Sequence, residues 1–215
     1  MKAFVSLWSA DPLAIGEAVE GLEEIADGFH IDVMDGQFVP QLLFGPDFVR
    51  ALRKRTDATL DVHLMVQEAD LWVEPFIEAG ADMVTVHLKS TPDLVKTLSK
   101  IGSLGARPSI GLSMYDPVER IESVIDIVDR ILLLGTAAGV KGAAIDPGVY
   151  KRVRMAAALR DRSRGRPEVF VDGGIRSESV PLIARAGADG VVPGSLVFER
   201  ENWGEIVAWI QQQIG

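Results

Sequence analysis

Short apolar runs alternate with longer amphipathic segments along the whole chain. The short runs are rich in β-branched and aromatic residues, which is typical of buried strands. In the longer segments apolar residues recur every three or four positions, as in helices. Eight strands are predicted, at Ala3–Trp8, Phe29–Val33, Thr59–Leu64, Met83–His87, Ser109–Leu112, Ile131–Leu134, Val169–Val171 and Gly190–Val192. Eight helices are predicted, at Leu13–Ala26, Pro46–Arg55, Glu68–Ala79, Pro92–Leu104, Pro117–Val128, Gly148–Arg162, Ser177–Ala186 and Asn202–Gln213.

This succession of strand-then-helix units indicates the fold class. Eight such units are what a (β/α)8 barrel requires, whereas a doubly wound sheet usually has about five or six strands. No Pro/Ser-rich linker or low-complexity run divides the pattern. We therefore predict one α/β domain over residues 1–215, a (β/α)8 TIM barrel, with its chemistry at the C-terminal ends of the strands.

Composition narrows the classes of ligand and partner. The formal net charge is −9 with the cations scattered, which argues against a nucleic-acid surface or a polybasic membrane patch. The chain has no cysteine, so any metal must be held by His, Asp and Glu, and the absence of disulfides suits the cytoplasm. The first apolar run is short and meets Asp11 and Pro12, so no export or membrane segment is expected.

The three histidines of the chain all fall in predicted strands. His30, His63 and His87 belong to the second, third and fourth strands. Because side chains alternate along a strand, His30 and Asp32 share one face, as do Asp61 and His63. Two neighbouring strands therefore carry matching imidazole and carboxylate groups.

A further carboxylate, Asp172, ends the seventh strand. Together with His30, Asp32 and His63 it forms a set that could bind a divalent ion such as Zn²⁺, Mn²⁺, Co²⁺ or Fe²⁺. These strand-end residues also have purely structural interpretations. His63 could be a hydrogen-bonded core histidine, Asp61 an ion-pair partner in the barrel interior, and Asp172 a cap for the turn that follows it. The coincidence of four such residues at strand ends favours the metal site.

Glycine-rich turns after the last two strands predict a phosphate site. Backbone N–H groups at Gly173–Gly174 and Gly194–Ser195 could cradle a phosphate, where barrels often hold one. Tight turns need glycine in any case, so neither turn is specific alone. In the loop after the sixth strand, Gly139, Lys141 and Gly142 could form a lid that brings a cation.

Several segments resemble the ribulose-phosphate 3-epimerase family, and the match runs over almost the whole chain. They are Ser6–Asp11, His30–Gly36 with Phe38–Pro40, Asp61–Met65, Val171–Ile175 and Gly194–Ser195. The resemblance implies a (β/α)8 barrel with one divalent metal bound at His30, Asp32, His63 and Asp172. It also implies inversion at C3 of a phosphorylated ketose, of the ribulose 5-phosphate/xylulose 5-phosphate type.

The resemblance assigns roles to individual residues as well. Asp32 and Asp172 match the acid/base pair that removes and returns a proton on opposite faces of an enediolate. Ser6 matches a substrate-contacting serine, His87 falls where many members have a pocket histidine, and His63 is also expected near the substrate. We further expect a cytoplasmic homo-oligomer. Three methionines are interpreted as pocket lining: Met34, Met65 and Met114.

The chain departs from the family in the loop after the sixth strand. Over Leu134–Ala143 the family's methionine and its Asn-Pro are replaced, and Lys141 stands in place of a loop glycine. The loop at Gly111–Pro117 is also shortened. We expect the proton-transfer chemistry to be kept. Two substrates are compatible with the altered loop: a pentulose phosphate, or another ketose phosphate such as allulose 6-phosphate or a tetrulose phosphate. The same residues are also compatible with a barrel lyase or aldolase, or with a sugar-phosphate-binding protein without turnover.

Overall fold

The sheet of the computed structural model closes into a barrel. The structure describes residues 1–214, so Gly215, the last residue of the predicted domain, lies outside the described residues. The barrel strands are β1 Lys2–Ser6, β2 Gly28–Asp35, β4 Leu60–Met65, β5 Met83–His87, β6 Arg107–Leu112, β7 Arg130–Leu134, β8 Glu168–Asp172 and β9 Gly190–Val192. β1 pairs in parallel with both β2 and β9, which closes the ring. The predicted single (β/α)8 barrel is confirmed.

A two-residue strand, β3 Leu42–Leu43, was not predicted; it pairs antiparallel with the end of β2. The helices are α1 Ile15–Leu22, α2 Pro46–Arg53, α3 Ala69–Glu78, α4 Leu94–Ser103, α5 Gly148–Arg162, α6 Val180–Arg185, α7 Ser195–Phe198 and α8 Trp203–Gln211. α5 has its predicted bounds, α7 was not predicted, and the others are shorter than predicted. Within residues 1–214, no helix combines the length and the apolar character needed to cross a bilayer.

The α-helix predicted over Pro117–Val128 was wrong. Two 3₁₀ helices, Val118–Ile121 and Ile125–Ile127, occupy this segment. The buried residues Val118, Ile121 and Val124 recur at every third position, which matches the three residues per turn of a 3₁₀ helix.

The first strand ends earlier than predicted. As a result, Trp8 and Ser9 lie in a turn that lines the cavity described below. β1 stops at Ser6, and Leu7–Ser9 forms a 3₁₀ turn in which the Ala10 N–H donates to the Leu7 carbonyl. Trp8 is therefore directed into a turn at the C-terminal end of the barrel instead of extending the strand.

The two faces of the strands bury different kinds of residue. The outer face packs against the helices in one large apolar core. Inside the barrel the apolar cluster is small, formed by Phe4, Leu132, Phe170 and Val192. Buried polar residues fill much of the remaining interior, among them His30, Asp32, Asp61, His63 and Arg130.

Candidate metal centre and active site

Four side chains converge inside the barrel. One ligand atom from each of His30, Asp32, His63 and Asp172 lies within 4.8 Å of the others. We call these four residues the donor set. The cluster is a metal-compatible grouping of two imidazoles and two carboxylates, as the sequence predicted.

The pairing of β2 with β4 explains how half of this set forms. In register, His30 lies beside Asp61 and Asp32 lies beside His63. Each strand therefore offers an imidazole next to the other strand's carboxylate. Asp172 reaches the same point from the end of β8, with only β9 and β1 between β8 and β2 in the sheet.

The separations of the donor atoms fit a first-row divalent ion. Ligands about 2.0–2.2 Å from an ion in tetrahedral arrangement lie roughly 3.3–3.6 Å apart. His63 Nδ1 lies 3.3 Å from His30 Nε2 and 3.3 Å from Asp32 Oδ1. His30 Nε2 lies 3.5 Å from Asp32 Oδ1, and Asp172 Oδ2 lies 3.7 and 3.9 Å from the two imidazole nitrogens.

Hydrogen bonds behind the donor set orient its members. His30 Nδ1 lies 2.9 Å from Asp61 Oδ2, which leaves Nε2 facing the other donors. A ligating histidine typically donates its second N–H to a carboxylate in this way. The Ser6 hydroxyl donates to Asp32 Oδ2 at 2.9 Å. Asp61 therefore has the ion-pair role that its sequence position also allowed.

The protein's own charges favour a cation at the centre. Burial lowers the pKa of His30, but the carboxylates of Asp32 and Asp61 outweigh it and raise that pKa well above its ordinary value. Either a proton or a metal ion can supply the positive charge that these carboxylates favour.

The two aspartates of the donor set differ in their affinity for a proton. Burial raises the pKa of Asp32, but His30 and His63 outweigh it and hold the value below the ordinary range. Burial and the neighbouring Asp32 carboxylate raise the pKa of Asp172 to about 6. Environments that push two carboxyl pKa values apart are typical of an acid and a base in one site.

A cavity opens at the C-terminal end of the barrel, where Asp32 and Asp172 line it. Most residues predicted to contact the substrate line it too: Ser6, Gly139, Lys141, Gly142, Gly173, Gly174, Gly194 and Ser195. The residues on β1, the lid region and the last two strands are thus brought together around the two carboxylates. A polar ligand entering the cavity would meet both.

Of the other predicted residues, only Met65 belongs to this lining, whereas His63, His87, Met34 and Met114 lie outside it. His63 is fully buried, and its Nε2 lies 2.8 Å from Nε2 of His87, whose ring packs against Phe38. Met65 lines the cavity, whereas the buried Met34 faces a neighbouring groove. Met114, among the described residues, lines neither.

Comparisons with known proteins agree with this geometry. The model of the ribulose-phosphate 3 epimerase family matches residues 2–198. This chain belongs to the ribulose-phosphate 3-epimerase family. The ribulose-phosphate 3-epimerase of Synechocystis is 37% identical over 209 residues, covering 96% of this chain and 91% of the relative. The Bacillus subtilis enzyme of the same name is 37% identical over 205 residues, 94% of each chain. The predicted enzyme class, an isomerase acting on carbohydrate phosphates, is confirmed.

Solved structures support the fold. The crystal structure of 3-hexulose-6-phosphate synthase from Salmonella typhimurium superposes with a TM-score of 0.71, covering 100% of this chain and 98% of that one. Its sequence is 18% identical, so the likeness concerns the barrel alone. The epimerase family membership rests on the sequence comparisons.

Ten cavity residues were not named as site residues by the sequence, and the four polar or aromatic ones among them are Trp8, Ser9, Thr136 and Arg176. Arg176 is the most informative, because it adds a guanidinium two residues after the Gly173–Gly174 turn. Its position beside a phosphate-type turn was a usable signal. Trp8 and Ser9 were hidden by the expectation that β1 continues to Trp8.

The loop in which the sequence predicts a departure from the family pattern lines the cavity. We call residues 135–147, between β7 and α5, the lid loop. Lys141 Nζ donates to the Trp8 carbonyl at 2.9 Å and lies 5.9 Å from the centre of the Trp8 ring. Ala138 packs against the buried cluster of Met34, Val39 and Met65. The lid loop therefore joins the turns after β1 and β2 across the cavity.

Proposed function

We propose that this epimerase inverts C3 of a phosphorylated ketose of the ribulose 5-phosphate/xylulose 5-phosphate type with one divalent metal ion and two aspartate acid/bases. The observation that carries the proposal is the donor set: two imidazoles and two carboxylates within 4.8 Å, with both carboxylates lining the cavity. The substrate class is inferred from the names of the relatives, which are ribulose-phosphate 3-epimerases. The arrangement of the donor set around the cavity supports metal-assisted proton transfer.

His30, Asp32, His63 and Asp172 would hold the metal, with Zn²⁺, Mn²⁺, Fe²⁺ and Co²⁺ as the candidates. When bound, such an ion supplies Lewis-acid stabilisation of the negative charge that develops beside a carbonyl as a proton leaves. His87 contacts His63 from behind, so we assign it to positioning that imidazole. His63 in turn presents Nδ1 to the centre.

The aspartates perform the proton transfer. In one direction of reaction, the ionised carboxylate removes the C3 proton, and the protonated carboxyl returns a proton to the opposite face; their roles reverse in the other direction. Ser6 keeps one oxygen of Asp32 engaged at 2.9 Å, which limits the rotation of that carboxylate. Their origins on β2 and β8 support placement on different sides of the substrate.

The substrate's phosphate is assigned to the last two turns. Gly173 and Gly174 have φ of +87° and +70°, a left-handed conformation that glycine adopts readily and that points successive N–H groups the same way. In the loops and turns of residues 1–214, the N–H groups of Gly174, Gly194 and Ser195 donate to no backbone carbonyl. Arg176 and Lys141 add two cations to the cavity of an otherwise acidic chain.

A second candidate, 3-epimerisation of another ketose phosphate, is favoured by the lid loop. Leu134 and Thr136 line the cavity where the family pattern differs, and Lys141 enters from the lid. None of these three residues belongs to the donor set. The loop can therefore change which ketose fits while leaving proton transfer intact.

The test uses metal-loaded enzyme in deuterated water. We expect incorporation of deuterium at C3 of ribulose 5-phosphate and formation of xylulose 5-phosphate, both followed by NMR. A panel of ketose phosphates, each with Zn²⁺, Mn²⁺, Fe²⁺ and Co²⁺, ranks substrate and metal. No C3 exchange with any ketose would refute the proposal, and carbon–carbon cleavage products would indicate a lyase instead. Cytoplasmic location and homo-oligomeric assembly stay predictions.

A further inference from the structure

An arginine lies inside the barrel, below the donor set. Arg130, the first residue of β7, is 0% exposed and is the largest fully buried side chain of the described residues. A buried arginine is rare unless its charge is compensated. Two carboxylates compensate it: Nη1 donates to Asp61 Oδ2 at 2.9 Å and Nη2 to Glu168 Oε2 at 3.0 Å.

The barrel interior is built around this guanidinium. Its central carbon lies 4.2 Å from the centre of the Phe4 ring and 3.7 Å from that of Phe170. Two strand glycines make room for these rings, because a Cβ on Gly28 would meet Phe4 and one on Gly190 would meet Phe170. Planar stacking between rings suits arginine and not lysine.

The same arginine reaches the donor set through one carboxylate oxygen. Asp61 Oδ2 contacts both Arg130 Nη1 and His30 Nδ1, each at 2.9 Å. The other oxygen, Oδ1, is buried and has no hydrogen-bond partner among the described residues. Within residues 1–214, Arg130 and His30 are the groups within ion-pair distance of Asp61. The hydrogen bond from Arg130 therefore holds Asp61 Oδ2, the oxygen that orients His30, in place.

We propose that Arg130 is a positioning residue of the metal centre, acting through Asp61 to fix the His30 imidazole with Nε2 directed at the other donors. It touches neither the cavity nor the proposed ligand atoms. This inference rests on the proposed metal site but not on the identity of the sugar. It predicts that metal affinity depends on a residue one layer below the site.

The probe is Co²⁺ added to metal-free protein, followed by calorimetry and by the visible absorption of the bound ion. We expect Arg130→Met to raise the Co²⁺ dissociation constant about 10- to 100-fold, the usual range for loss of a group that orients a metal ligand, and to alter the absorption band. Glu168→Gln is the matched control: it removes the other ion pair of the same guanidinium, and we expect about a twofold change or less.

Arg130→Met leaves Asp61 as a buried charge with one partner, so that variant alone can fail to fold. The double variant Arg130→Met/Asp61→Asn removes both charges, and we expect it to regain thermal stability but to keep the weakened Co²⁺ affinity. Wild-type affinity in a folded Arg130→Met or in the double variant would overturn the inference, as would an equal loss in Glu168→Gln. If the wild type binds no Co²⁺, the proposed centre fails and this inference with it.

Discussion

Replacement of Asp172 by asparagine tests the proposed chemistry most directly. The change keeps the size of the side chain but removes its charge and its ability to accept a proton. Asp172 Oδ2 lies 3.7 Å from His63 Nδ1 and 3.9 Å from His30 Nε2, so the substitution alters the donor set as well as the acid/base pair. Both effects lower the rate.

The expected loss can be estimated from these roles. A positioned general acid or base contributes about 10²- to 10⁴-fold to a rate. With a weakened metal site in addition, we expect turnover to fall by at least roughly 10³-fold, which corresponds to about 4 kcal/mol of transition-state free energy. The thermal stability should change little in comparison, because the Asp172 side chain is 17% exposed and lies at a strand end.

The assay is deuterium exchange at C3 of ribulose 5-phosphate, with bound metal measured on the same samples. Asp47→Asn is the matched control, because the Asp47 side chain is 97% exposed on α2 and its ion pair is with Arg50; it should exchange at the wild-type rate. Metal-replete Asp172→Asn that exchanges within about tenfold of wild type would refute the assignment of Asp172 as acid/base.

Three further predictions follow from particular contacts. Lys141→Ala should raise KM about tenfold with little change in kcat, or shift the preference among ketose phosphates, since Lys141 lies at the cavity mouth; steady-state kinetics on the substrate panel measure this. Chelation should abolish turnover and lower Tm, and a divalent ion should restore both, as calorimetric scans will show. Burial raises the pKa of Glu168, but Lys2 and Arg130 outweigh this effect and lower that pKa. The stability that Glu168 contributes is therefore present above its unfolded pKa and is lost as the pH falls through its folded pKa. The deficit of Glu168→Gln in urea unfolding should therefore shrink as the solution is made acidic, and a constant deficit would contradict this.

The local sequence pattern was sufficient to predict the barrel fold and the four residues of the donor set. Alternation along β2 places His30 and Asp32 on one face, and the same alternation applies to Asp61 and His63 on β4. These periodicities depend on neighbours in the chain, so they can be read from the sequence. The segment from Val118 to Ile127 was misread because spacings of three and four residues are hard to separate over so short a span.

The contacts within the interior could not be read in this way. That Asp61 lies between His30 and Arg130 depends on the register of β2 with β4 and on the closure of the barrel, which brings β7 opposite. Arg176 likewise becomes a site residue only because the turn after β8 and the lid loop line the same cavity. Such pairings join residues far apart in the chain.

The sequence by itself therefore determined the order of strands, the strand ends at which polar groups accumulate, and the residue types of the proposed metal site. The tertiary structure decided which of those groups meet within 4.8 Å, which carboxylate orients His30, and how the lid loop reaches Trp8. The reason is physical: side-chain direction follows from local backbone geometry, whereas distances between strands are set by how the whole sheet pairs, staggers and closes.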